Sequence, residues 1–208
     1  MRNDLIKVGV IGPTDISNLS KQIGKPEIII FEILKEVGKT LADSDCELWV
    51  NSDKGTLFEV ARAYKEFGGK KLVILYPKKG EPWPKAHAEP YTKGADVIRR
   101  EKNWFWCNYN VVSLPDICVC VGFSPGVFSE LAYINWDKRL KCGNLKMLIG
   151  IAELLRDGHF PYEFRSELGK IMFLMSTRVK SSNGSDNIFG SLLKEARNNY
   201  LNYPKNKD

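Results

Sequence analysis

The sequence predicts an α/β protein, a three-layer Rossmann-like domain built on a mainly parallel central sheet, and three observations predict it. Short apolar runs with little polar alternation recur at 5–11, 46–50, 72–76, 117–121 and 145–151, as expected of strands covered on both faces. Helix-period patterns stand between them, and this alternation implies a parallel sheet with right-handed crossovers. The 208 residues suffice for one well-cored domain and would be a squeeze for two. Residues 1–208 are therefore read as one domain, with 159–208 a C-terminal extension whose packing the pattern does not specify.

The first strand, interrupted mainly by Lys7 and Gly9, ends in Gly12, Pro13, Thr14 and Asp15. In a doubly wound sheet the C-terminal strand ends line the ligand crevice, which makes Gly12, Pro13 and Thr14 candidates for ligand contact. The competing reading is a plain turn in which Asp15 caps nothing in particular. Pro26 fits a first helical turn. Ile30, Ile33, Leu34, Val37 and Leu41 then recur at helical spacing and define an amphipathic helix against one sheet face. Ile28, Ile29 and Phe31 widen its apolar surface beyond one stripe, as deep burial or a subunit contact would require.

The second strand, 46–50, leads into a helix over 54–67, which Gly68 and Gly69 end in the manner of a C-cap before the third strand. Residues 77–90 carry four prolines and are long for a plain connector. They read either as a lid, with Trp83 stacking on a base and Lys85 or His87 meeting a phosphate, or as an ordered surface loop. Trp104, Phe105, Trp106 and Tyr109 form an aromatic cluster whose first explanation is core packing or a subunit interface and whose second is base stacking. Residues 152–156 read as a short helical piece, 171–175 as an apolar segment of undefined type and 181–185 as a turn. Asp186 then caps a helix running to about Leu201.

Composition narrows the function classes. The net charge is +6, but the lysines and arginines are scattered, which reads first as a solvated basic surface and argues only weakly for an anionic small ligand or for nucleic acid. No run approaches the roughly 18 apolar residues of a spanning helix and no secretory leader is visible, so a cytoplasmic protein without membrane contact is expected. Cys118 and Cys120 point to one face of a strand and read as core thiols, with Cys46, Cys107 and Cys142 elsewhere. With two histidines and no metal-ligand spacing, neither a metal site nor a Ser-His-Asp triad is expected, nor is a resident cofactor.

The densest functional signal lies at 115–134, which reads as a buried strand, a tight turn and the opening of a helix. Gly122 and Gly126 bracket the turn together with Phe123, Ser124 and Val127. Glycines let the backbone approach a ligand, and the N–H groups of a helix's first turn favour an anion, most often a phosphate. Glu130, about one turn in, can accept hydrogen bonds from a sugar hydroxyl. The bland reading is a structural turn with Glu130 exposed. The same grammar recurs at Asn51, Ser52, Asp53, Gly55 and Thr56, where Gly55-Thr56-Leu57-Phe58-Glu59 echoes Gly126-Val127-Phe128-Ser129-Glu130. Two such turns can face one ligand.

Together these stretches resemble the Lonely-Guy family, long labelled "lysine decarboxylase-like", within a wider group of Rossmann-like nucleotide-binding proteins that includes DNA-processing relatives. The family pattern P-G-G-x-G-T-x-x-E falls on 122–130, where Gly126 and Glu130 agree while Gly122-Phe123-Ser124 replaces P-G-G and Val127 replaces Thr. The second signature falls on 51–77, with Gly55, Val60, Ala61, Gly68, Gly69 and Pro77 in agreement and Asn51-Ser52-Asp53 in place of glycines. The resemblance spans roughly the first three quarters of the chain. It implies hydrolysis of the N-glycosidic bond of a nucleoside 5′-monophosphate, with glycine turns on the phosphate and Glu130 as the catalytic acidic residue. The family's catalytic arginine, however, falls on Cys107, followed by Asn108 and Tyr109, and Arg99 and Arg100 come about seven positions too early.

Losing one group that stabilises transition-state charge typically costs ~100-fold or more. The reading therefore places first a binding or sensing protein for a nucleotide or other phosphorylated nucleoside. A phosphoribohydrolase comes second and a nucleic-acid-binding relative third. The pattern is compatible with an enzyme, which would then be a nucleoside 5′-monophosphate phosphoribohydrolase, and with a non-enzymatic binder. A homodimer or larger homo-oligomer is expected from the surplus apolar surface after Pro26 and the aromatic cluster.

Overall fold

The computed structural model describes residues 5–78 and 85–177. Strands β1 (Ile6–Ile11), β2 (Cys46–Asn51), β3 (Lys71–Pro77), β4 (Val97–Glu101), β5 (Ile117–Cys120), β6 (Met147–Ile151) and β7 (Met172–Met175) form one sheet in the order β4-β3-β2-β1-β5-β6-β7. Every neighbouring pair is parallel. The helices are α1 (Ile16–Ile23), α2 (Glu27–Asp43), α3 (Thr56–Glu66), α4 (Lys85–Ala88), α5 (Trp104–Ser113), α6 (Pro125–Leu140) and α7 (Tyr162–Leu168). The architecture is thus the three-layer α/β fold expected, and its sheet is wholly parallel.

Side-chain alternation divides the core into two layers. Val8, Val10, Leu48 and Val50 pack with Ile30, Leu34, Val37 and Val60 from α2 and α3. Ile11, Trp49, Cys118 and Cys120 pack on the opposite face with Val111, Val127, Leu131 and Ile134 from α5 and α6. Cys118 and Cys120 thus share a face as core thiols. Burial raises the pKa of Cys46, Cys107 and Cys120 to about 12, which leaves them unreactive. From β1 the chain builds outward to β4. It then returns across the sheet through α5 to lay β5 against the other side of β1, so the order reverses between β1 and β5.

Two elements depart from the sequence reading. Asp15 does cap a helix: its Oδ1 accepts from the Asn18 N–H at 2.9 Å and opens α1, which ends at Gly24 with φ +65°. The pattern concealed α1 because only Leu19 in it is buried. Strand β4 was hidden for a similar reason, since four of its five residues are exposed at the sheet edge and its charges mask any apolar run. Arg99 and Arg100 are therefore strand residues, with their guanidinium groups over Trp49 and Tyr76, each 5.5 Å from the ring centroid. Neither is carried back to the position that the resemblance assigns to an arginine.

Smaller differences are local. Helix α3 starts at Thr56, with Gly55 as its N-cap and Gly68, at φ +81°, just beyond its end. Within the loop after β3, residues 85–92 are helical, as α4 and a 3₁₀ turn at Glu89–Thr92. The aromatic cluster splits: Trp104 is buried against Tyr76 and Ala88, whereas Phe105 and Trp106 are exposed. The piece after β6 is two 3₁₀ turns, Ala152–Leu154 and Arg156–Gly158, and the apolar segment at 171–175 supplies edge strand β7. The readings for Trp83, the Lys85 side chain, 181–185 and Asp186 lie outside the described residues. Among the described residues no helix is long and apolar enough to cross a membrane.

Candidate ligand crevice

Parallel strands deliver their C-terminal ends to one sheet edge, and the strand order reverses between β1 and β5, the place where open α/β sheets bind ligands. The turns after β1, β2 and β5 meet at that point. Thr56 donates both its N–H, at 3.1 Å, and its hydroxyl, at 2.8 Å, to the Pro13 carbonyl, stitching the second turn to the first. A Cβ at Gly12 would fall 2.4 Å from Thr56 Oγ1 and 2.5 Å from a Val121 methyl, so only glycine admits this approach. Gly122 takes φ +122°, and a Cβ there would meet Leu19 at 2.9 Å and Pro13 at 3.1 Å. The third turn thus closes on the first, and the glycines hold the three turns together.

Beside the turns lies a buried polar cluster. Asn51, at the end of β2, donates from Nδ2 to Asn108 Oδ1 at 2.9 Å and to Glu130 Oε1 at 3.4 Å. It thereby joins α5 to α6 across the strand end. Glu130 is 5% exposed. Burial, with the Asp53 carboxylate as a lesser cause, pushes its pKa well above the ordinary carboxylate value, so the neutral acid is favoured. The bland reading of Glu130 as an exposed helix residue is overturned, since α6 turns that side chain inward. Asn51 Oδ1 and Ser52 Oγ are buried without a hydrogen-bond partner among the described residues, a cost that a bound polar group would offset.

Asp53 faces the segment that follows β3, where His87 Nε2 lies 3.0 Å from its Oδ1. The His87 ring rests edge-on to Trp104, with centroids 6.0 Å apart, which pins α4 over the second turn. His87 therefore meets a carboxylate rather than standing free for a phosphate. Sequence reasoning gave Asn108 no role beyond that of a neighbour to the missing arginine. The signal that marks it is the one-residue offset between the family's arginine position and Asn108.

The third turn differs from the expected form in one respect. Gly126 does not bracket a turn: it lies inside the first turn of α6, exposed, behind Pro125. Ser124 is the N-cap, and its hydroxyl accepts from the Val127 N–H at 3.3 Å. Pro125 has no N–H, which leaves the Gly126 N–H as the first-turn donor open to an anion. Phe123 and Val127 are buried and face the core rather than the opening. Thr14 and Gly55 pack on each other, a Cβ at Gly55 falling 2.5 Å from the Thr14 carbonyl oxygen. Among the described residues no group of three or more His, Cys, Asp or Glu side chains is arranged to hold a metal ion.

Fold and crevice together define a Rossmann-like α/β protein whose strand-end turns converge at the switch point. No protein-family model matches the chain, and no curated protein matches it. Solved structures do. The molybdenum cofactor carrier protein of Chlamydomonas reinhardtii is 17% identical, with 92% of this chain and 98% of that one covered at a TM-score of 0.59. The molybdenum cofactor binding protein of Rippkaea orientalis is 12% identical, with 92% and 99% covered and a TM-score of 0.59. The structural-genomics protein TM1055 is 20% identical, with 83% and 92% covered and a TM-score of 0.52. At these identities the likeness establishes the Rossmann-like fold, which the chain shares over nearly the full length of each.

Proposed function

We propose that this protein binds a nucleotide or another small phosphorylated ligand in the crevice between the C-terminal ends of β1, β2 and β5, and that it carries or senses that ligand rather than cleaving it. The observation that carries the reading is the meeting of three strand-end turns beside a buried, incompletely satisfied polar cluster: Asn51 Oδ1 and Ser52 Oγ lack partners among the described residues, and the Gly126 N–H stands at the head of α6. The phosphate lies against that helix end, where the amide and the helix dipole favour negative charge. The resemblance to the Lonely-Guy family on Gly126 and Glu130 supports the same placement.

The surroundings of Glu130 favour binding over hydrolysis. Glycosidic cleavage needs an ionised carboxylate facing the cationic ribose. Here Asn51 is the side chain bonded to Glu130, Asn108 stands behind it, and burial favours the neutral acid. A neutral carboxyl can donate and accept hydrogen bonds to a sugar or ring, but it offers a forming cation little. Two solved structures of the same fold are named for carrying or binding the molybdenum cofactor, which supports a carrier built on this scaffold. The phosphoribohydrolase reading keeps one specific support, the inward placement of Glu130 at the position that the family pattern assigns to its acidic residue.

A thermal-shift panel of nucleoside mono- and diphosphates, ribose 5-phosphate and the molybdenum cofactor tests the proposal, with base release from each nucleotide monitored chromatographically. A native-state ligand at 100 times its Kd adds ~2.7 kcal/mol to stability. The expected result is a saturable rise in melting temperature without base release. Stoichiometric release would favour the hydrolase, and no shift with any phosphorylated ligand would refute the proposal.

A further inference from the structure

Helices α5 and α6 pack against each other on one face of the sheet, and both open at its C-terminal edge, after β4 and β5. The residues that α5 turns toward α6 recur at helical spacing, as Phe105, Asn108, Tyr109 and Val112. Val112 is buried in the core layer. Tyr109 meets the Tyr133 ring of α6 edge-on at 5.6 Å and donates its hydroxyl to Asp137 Oδ1 at 3.0 Å. Asn108 is bonded to Asn51, which in turn reaches Glu130. Phe105 is the member of this row left over. It is 60% exposed, and among the described residues no ring stacks on it, the run of edge contacts passing from Trp106 through Tyr109 to Tyr133.

Opposite, the start of α6 presents Gly126 and Ser129, two small exposed residues. A Cβ at Gly126 would meet nothing nearer than Ser124 Oγ at 3.7 Å. Side chains lean toward the N-terminus of their helix, which carries the Phe105 ring up to the level of that turn. The seam between the helices is thus filled by tyrosines below and open above, with an aromatic ring on one wall and small residues on the other. Beside it lies the polar cluster, where Asn51 Oδ1 and Ser52 Oγ are buried without a partner among the described residues. We propose that this notch is the base subsite: the nucleobase of a bound nucleoside 5′-monophosphate stacks on Phe105, its sugar faces Asn51 and Glu130, and its phosphate reaches the Gly126 N–H. The inference rests on the anion site proposed above and adds recognition of a planar base to it. Every base has a π-face, so a single stacking ring accepts different bases.

The test is calorimetric titration of the full chain with adenosine and guanosine 5′-monophosphates and with ribose 5-phosphate, which has the phosphate and sugar but no base. Phe105→Ala and Phe105→Leu remove the ring, Phe105→Tyr keeps it, and Trp106→Ala removes a neighbouring exposed ring on another side of α5. Circular dichroism and melting temperature check that each variant is folded. Phe105→Ala and Phe105→Leu are expected to weaken both nucleotides roughly fivefold or more, as loss of a base-stacking contact does, and to leave ribose 5-phosphate binding unchanged. Phe105→Tyr and Trp106→Ala should bind all three ligands like the wild type. Wild-type nucleotide affinity in folded Phe105→Ala or Phe105→Leu would overturn the base subsite while leaving phosphate binding in the crevice intact. An equal loss for ribose 5-phosphate, or an equal loss in Trp106→Ala, would also overturn it, because the effect would then belong to the phosphate or to α5 as a whole. If none of the three ligands binds the wild-type protein, the anion site falls and this inference with it.

Discussion

Gly126→Val separates ligand binding from folding. Residue 126 is exposed in the first turn of α6, and a Cβ built there meets only Ser124 Oγ, at the ordinary contact distance of 3.7 Å. Its φ is not in the left-handed region, so no backbone strain follows. The stability change should stay within about 0.5 kcal/mol, as for exposed sites without special contacts, or roughly 1–2 °C in melting temperature for a chain of this size. The isopropyl group would, however, stand over the one open N–H of that turn. A hydrogen bond to a charged group is worth about 1.5–3 kcal/mol, so loss of the phosphate contact should weaken nucleotide binding by roughly 10- to 150-fold. Calorimetry on a sample whose melting temperature matches wild type measures this directly. An unchanged Kd in that sample would refute the placement of the anion and the organisation of the crevice around α6. Gly122→Val is the contrasting control. Its φ of +122° and the 2.9 Å approach to Leu19 should cost the fold itself, lowering melting temperature and binding together.

Other outcomes follow from the same geometry. Because burial raises the Glu130 pKa, the folded protein holds that proton to higher pH than the unfolded chain does, so this group's contribution to stability falls as pH rises above the ordinary carboxylate range. Glu130→Gln should remove that decline and gain stability over wild type more at pH 8 than at pH 5; equal differences at both pH values in thermal melts would contradict it. In a carrier the same variant should shift nucleotide affinity by only about 1 kcal/mol, whereas in a hydrolase it should abolish turnover with little change in binding. Gly38→Ala brings a methyl 2.6 Å from the Ala63 Cβ and 2.7 Å from the Val60 carbonyl oxygen. Overpacking of about 1–3 kcal/mol should match or exceed the helix-propensity gain of up to ~1 kcal/mol, so the melting temperature should not rise; a clear increase would show that α2 and α3 separate easily. The exposed Ile28, Phe31, Phe105, Trp106 and Trp136 lead us to expect self-association, and light scattering at micromolar concentration showing a monomer would count against it.

The layering of this protein is written in its pattern of apolar residues. Five of the seven strands among the described residues were legible as apolar runs because a parallel strand is covered on both faces, and α2 and α3 were legible because their buried residues recur every three or four positions. The turns at Gly12, Gly55 and Gly122 were legible as punctuation between those runs. What lay beyond local pattern was decided in three dimensions. Helix α1 and strand β4 bury too few residues to leave a periodic trace. Asn51 reaches Asn108 across 57 positions and Glu130 across 79, and no local periodicity encodes such a meeting. Whether Glu130 was a solvated helix residue or a buried carboxyl depended on the rotation of α6 against the sheet, which Val127, Leu131 and Ile134 set by packing into the layer behind β5.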